Sequence, residues 1–130
     1  MDAIKQAEII YSLLIQAARE RTCFTYGEIN RSLGYKNNAS GHAIRPGMDL
    51  IVLYCFECGS PQLTSLIVNK KNGKPTEGYA YGEGENIDHE HLACYAHKWE
   101  SSFDYAGMWK KRFQLRKKYN LTYGSGGNKK

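Results

Sequence analysis

The chain predicts an α+β fold, a winged helix-turn-helix with a C-terminal extension, and three observations carry that expectation. A helical apolar stripe opens the sequence. A short β-type stretch then leads into a capped helix, a polar turn and a second apolar helical run. A β-type run with a basic, turn-rich loop follows. In a winged helix the third helix enters the major groove of DNA and the hairpin, the wing, lies along the backbone. With 130 residues the chain can build one core and is short for two. Residues 1–119 are therefore expected to form a single domain ending in a basic helix, with 120–130 as a flexible tail.

Taken in order, the first helix is expected from Ala3 to about Arg19. Ile4, Ala7, Ile10, Tyr11, Leu14, Ala17 and Ala18 recur there at the spacing of one helical face. "TCFT" is β-branched and aromatic, and its last residue, Thr25, can cap the next helix with Glu28 as the capping-box acid. That second helix runs Tyr26 to Leu33, and Gly34 supplies the left-handed residue that stops it. "YKNNAS" is a polar turn. The apolar run from Ala43 to Cys58 then predicts a helix that begins near Arg45 or bends at Pro46, because proline is tolerated only in a first turn. Only Asn37 to Arg45 is polar enough to face DNA, while Leu50 to Phe56 reads as core.

"LTSLIVN" reads as a strand, "KKNGKPTEG" as a basic loop and "YAY" as the returning strand of a hairpin. "EGENIDHEHL" is acidic and loop-like, and "ACYAHKW" is a short strand or helix. In "DYAGMWKKRFQLRKKY" the spacing of Tyr105, Trp109 and Phe113 predicts a packed face, with Lys110, Lys111, Arg112, Arg116, Lys117 and Lys118 left wet. "GSGGNKK" is expected to be disordered.

Charge is distributed unevenly around the net value of +5. Residues 81–104 carry one basic against six acidic side chains, whereas 105–130 hold eight Lys or Arg and no acid. Such a segment suits a nucleic-acid partner and also an ordinary solvated helix face. No apolar run approaches the roughly 20 residues of a membrane span, and the first segment mixes charge with apolar residues unlike a signal peptide. Four cysteines in a chain of this size read as reduced thiols, so a cytoplasmic protein is expected.

The segments "TYGEINRSLGY", "GHAIRPGMDL" and "SPQLTSLIVNKKNGKPTEGYAYG" resemble the C-terminal DNA-binding domain of O6-alkylguanine-DNA alkyltransferases and alkyltransferase-like proteins. The similarity spans Thr25 to Gly82. It implies that Tyr26, Gly27, Glu28 and Arg45 lie in the DNA-contacting region. Where that family carries its reactive Cys, this chain reads "PQLT", Pro61 to Thr64, with neither Cys nor His. Alkyl transfer requires a thiolate activated by a neighbouring His, so the departure argues against repair chemistry. The pattern is also similar to small phage and prophage proteins, which implies no particular activity.

Cys55 and Cys58, a C-x-x-C, with His89, His91, Cys94 and His97 of "HEHLACYAH", offer ligand types that fit zinc. The cysteine pair ends an apolar helical run instead of forming a tight knuckle, so no metal and no other cofactor is expected. Glu77, Glu83, Glu85, Asp88, His89, Glu90 and His91 could bind a divalent ion at a catalytic centre, but such runs are more often solvated loop, and no enzyme is expected. The leading expectation is a non-catalytic protein that binds duplex DNA. Lys70, Lys71 and Lys74 would touch phosphate, Arg31, Lys36, Asn37, Asn38, His42 and Arg45 would reach the groove, and the resemblance adds Tyr26 to the DNA-binding set. The alternative is a phage-type adaptor or inhibitor that engages a host protein through its acidic 83–104 segment and the aromatic anchors Tyr95, Trp99, Phe103, Tyr105 and Trp109, and a zinc-binding domain is the second alternative.

Overall fold

The computed structural model of the chain describes residues 1–35, 41–73 and 87–121. Helix α1 spans Ala3–Glu20; Asp2 caps it by accepting from the Lys5 amide at 2.8 Å, and Arg21 closes it in the left-handed conformation at φ 58°. Strand β1, Phe24–Thr25, runs directly into α2, Tyr26–Ser32. The junction is the expected capping box: Thr25 Oγ1 accepts from Glu28 N at 3.1 Å and Glu28 Oε1 accepts from Thr25 N at 2.8 Å. Gly34 follows at φ 85°, where a side chain would be strained.

A 3-10 turn, Gly41–Ile44, leads into α3, Arg45–Cys58, with Pro46 in its first turn and Gly59 ending it at φ 67°. Ile44 offers this helix no side-chain cap. Gln6 of α1 supplies one from across the interface. Its Oε1 accepts from Gly47 N at 2.9 Å, while its Nε2 donates to Ala43 O and to Tyr35 Oη, both at 2.8 Å. A buried amide thereby satisfies backbone groups that a helix start leaves without intrahelical partners.

Residues 47–53 of α3 are buried without interruption, nearly two helical turns, so every face of this segment is covered. α1, α5 and a 3-10 turn at Leu63–Leu66 pack around it. The core thus begins earlier in the helix than Leu50. The helix reaches the surface only towards its ends, at half-buried Arg45 and exposed Pro46 and again at exposed Glu57 and Cys58.

The expected strand "LTSLIVN" is shorter than the β-type residues suggest: Leu63–Leu66 coil as 3-10 and only Ile67–Val68 form β2. This turn is bonded to α4, Ile87–Ala96, which takes the backbone groups of Gln62 before it and the Ser65 carbonyl within it. Glu90 Oε2 accepts from Gln62 N at 2.6 Å, Cys94 Sγ donates to Gln62 O at 3.4 Å and His91 Nε2 meets Ser65 O at 2.8 Å. β2 pairs in parallel with β1, Phe24 opposite Ile67 and Thr25 opposite Val68. The fold is mostly helical with a small two-stranded parallel sheet, an α+β arrangement. The returning strand "YAY", the loop residue Lys74, most of the "YKNNAS" turn and the tail from residue 122 lie outside the described residues.

Helix α5, Tyr105–Lys118, is present where expected but packs differently. Met108 and Leu115 are buried, and with half-buried Tyr105, Arg112 and Tyr119 they make a stripe at alternating three- and four-residue spacing. Trp109 and Phe113 instead face out, 36 % and 65 % exposed. Steps of four residues drift about 40° around a helix each time, which carries the 105, 109, 113 series off the packed face. Among the described residues no helix is long and apolar enough to cross a membrane.

Candidate nucleic-acid interface

The parallel register that places Thr25 beside Val68 also brings the following residues together. Tyr26 and Arg31 of α2 and Lys70, just beyond β2, line a cleft of ≈ 330 Å³ with Thr25, Gly27, Glu28 and Asn69. Lys71 is exposed in the turn that follows. Arg45 lies elsewhere, in a second cleft of ≈ 320 Å³ shared with Pro46, Asp49, Leu50, Trp109, Arg112, Phe113 and Arg116. The expected contact set is therefore divided between two places. Lys36, Asn37, Asn38, Lys74 and the side chain of His42 lie outside the described residues.

The second cleft is built by the fastening of α5 onto α3. Arg116 Nη2 meets the almost fully buried Asp49 carboxylate at 3.0 Å. One turn further on, Lys118 Nζ and Tyr119 Oη reach Glu57 Oε2 at 2.9 and 2.6 Å. The Tyr119 hydroxyl and then Lys118 hold the Glu57 carboxyl below its ordinary range. On the outer side, Arg112 stacks its guanidinium 3.5 Å from the Trp109 ring and 4.3 Å from Phe113, and Nη1 donates to Trp109 O at 2.7 Å. Lys110, Lys111 and Lys117 stand exposed beside it, with no ion pair among the described residues. The exposure of Trp109 and Phe113 escaped the sequence reading. The spacing of Tyr105, Met108, Leu115 and Tyr119 is the signal that would have found it.

Of the five aromatic residues expected to anchor a protein partner, Trp99 is buried, Tyr95, Phe103 and Tyr105 are half-buried, and Trp109 is exposed. Trp99 is buried and donates to Cys94 O at 2.9 Å, and Phe103 lies parallel to Tyr54 with ring centres 4.1 Å apart. Tyr11 Oη donates to Glu100 O at 2.6 Å and meets Phe103 edge-on, which locks the 97–104 connection to α1.

The C-x-x-C residues diverge: Cys55 is buried, where desolvation pushes its thiol up to about 12, and Cys58 is exposed. His97 is exposed with its ring centre 4.3 Å from that of Trp99. Among the described residues no three His, Cys, Asp or Glu side chains gather as metal ligands would. His91 instead faces Cys23, at 3.8 Å from Nδ1 to Sγ. Sequence spacing gave no sign of this pair, because 68 positions separate its members.

No family model, curated protein or solved structure matches this chain.

Proposed function

We propose that the protein is a non-catalytic nucleic-acid-binding protein that grips duplex DNA through its phosphates, with the outer face of α5 as the principal contact. The observation that carries this reading is Arg112 held between Trp109 and Phe113 beside Lys110, Lys111 and Lys117, on a helix without a single acidic side chain. A guanidinium already fixed against rings loses little freedom on meeting an anion, and it keeps donors in a planar fork suited to phosphate. Because the Arg112 guanidinium lies over the Trp109 ring, that ring favours phosphate contact over stacking with an unpaired base. The Tyr26, Arg31 and Lys70 cleft supplies a second cationic contact. The order of helix, strand, helix, helix and strand, with the capping box at Thr25, supports a winged-helix ancestry for this scaffold. In that ancestry α3 serves as core and the reading surface has moved to α5.

The burial of Trp99 and the internal stacking of Phe103 favour this reading over a protein-partner module, since those rings are already committed to the core. The test is fluorescence anisotropy with a labelled duplex and a single strand of equal length at about 50 mM salt. Non-specific duplex binding with Kd of about 1–100 µM is expected. Arg112→Ala weakens it several-fold, and Trp109→Ala does so too although it removes no charge. Absence of duplex binding at that salt, or tighter binding of the single strand, overturns the proposal.

A further inference from the structure

Cys23 sits between the end of α1 and the start of β1, half-buried. His91 approaches it from α4, with Nδ1 3.8 Å from Sγ. The opposite ring nitrogen, Nε2, lies 2.8 Å from the carbonyl oxygen of Ser65. A carbonyl can only accept, so Nε2 carries the hydrogen. In the neutral ring Nδ1 then has a lone pair directed at the thiol. A nucleophile, a base within hydrogen-bond reach and a third group that orients the base make up the arrangement of an activated thiol. The hydroxyl of Tyr95, one turn beyond His91, is also 3.8 Å from Sγ. α4 is kept in place for this contact by Glu90 and Cys94, whose side chains bond the backbone of Gln62.

We propose that Cys23 and His91 form a thiolate–imidazolium pair whose thiolate reacts with small anionic disulfides and retains one half as a mixed disulfide. The thiol proton resides on His91 Nδ1. The Cys23 sulfur attacks one sulfur of R–S–S–R, the new S–S bond forms as the old one breaks, and the departing RS⁻ takes the Nδ1 proton to leave as RSH. Cys23 is oxidised and one R–S half is reduced, so the disulfide is itself the oxidant. The anionic preference comes from Arg21, an exposed side chain whose guanidinium lies 5.8 Å from the Tyr95 ring centre.

The charges around the pair agree with this chemistry. Burial raises the Cys23 thiol, but the hydrogen bond and charge of His91, with the Tyr95 hydroxyl, outweigh it and bring the thiol below its ordinary value. His91 is raised chiefly by Cys23, against burial, with help from Ser65 and the nearby Asp88. Cys55 and Cys94 are buried with thiols pushed up to about 12, chiefly by desolvation, and are poor nucleophiles. Exposed Cys58 is the internal comparator.

The experiment treats the full reduced chain with oxidised glutathione, which is anionic, or with cystamine, which is cationic, and follows each cysteine by peptide mass spectrometry. At about pH 7 Cys23 is expected to react at least about threefold faster than Cys58 with oxidised glutathione, and that advantage should shrink by about pH 9 as ordinary thiols ionise. Cystamine should show a smaller preference for Cys23. His91→Gln should abolish the advantage in a chain whose circular dichroism is unchanged. Equal or faster reaction of Cys58 at about pH 7 in the unsubstituted chain overturns the proposal, and that comparison needs no variant to fold. A Cys23 rate unchanged in folded His91→Gln overturns the role of the imidazole, and equal preference with both probes overturns the anionic assignment.

Discussion

Gln6 shows how a single polar side chain can settle where two helices meet. It lies in the apolar face of α1, is 3 % exposed, and spends its amide on Gly47 N, Ala43 O and Tyr35 Oη. An apolar isostere would leave the Gly47 amide and the Ala43 carbonyl without these partners in a buried setting, at about 1–3 kcal/mol for each unmet group. Gln6→Leu is therefore expected to lower unfolding free energy by about 2–4 kcal/mol in urea titration. Tyr35→Phe, which removes one of the three bonds, should cost about 1 kcal/mol. A Gln6→Leu chain within about 0.5 kcal/mol of the original would remove this account of how α3 begins. Nothing in the spacing of α1 announces the role: periodicity identifies a face, and it says nothing of which distant backbone the face will meet. The Thr25 and Glu28 capping box was legible for the opposite reason, since both of its bonds close within three residues.

At the scale of elements, local signals and burial signals separate in the same way. All the helices foreseen from apolar periodicity formed, and α3 starts at the residue before its proline because that ring fits only a first turn. The strand expectation for Leu63–Leu66 failed: the segment coils as a 3-10 turn against α4, from a later part of the chain, which takes the Gln62 amide just before it and the Ser65 carbonyl within it. At Gly47 α1 and α3 approach closely. A Cβ there would lie 2.6 Å from Gln6 Cβ and 2.9 Å from the Ala7 nitrogen. Alanine gains about 0.5–1 kcal/mol in helix propensity over glycine, but a clash with backbone cannot be relieved by one side chain turning away. Gly47→Ala should therefore be destabilising by about 1–3 kcal/mol, visible as a lowered Tm. Gln6 and Gly47 touch, so the double variant Gln6→Leu with Gly47→Ala should depart from the sum of the single effects. A stabilised Gly47→Ala chain would mean that the two helices are not held this closely.

For the molecule as a whole, the decisive asymmetry is electrostatic, and its location depends on burial. The sequence showed that residues 105–130 hold cations without acids. It did not show that Arg116 and Lys118 are used internally against Asp49 and Glu57, leaving Lys110, Lys111 and Lys117 exposed beside half-buried Arg112. Each phosphate neutralised by a bound cation contributes about 0.9 to the slope of log K against log salt. Replacing Lys110, Lys111 and Lys117 together by Ala should thus flatten that slope by about 2–3, measured by anisotropy over a salt series. Replacing Lys70 and Lys71 should flatten it by up to about 2 if the α2 cleft contacts the same duplex. The two sets do not share partners, so their slope changes should add when one DNA engages both surfaces. If only the α5 set changes the slope, DNA lies along that helix alone. If only Lys70 and Lys71 change it, contact is confined to the sheet side and the α5 assignment fails. The slope distinguishes these arrangements better than affinity does, because it counts the phosphates released from counterions while Kd mixes that count with every other contribution to binding.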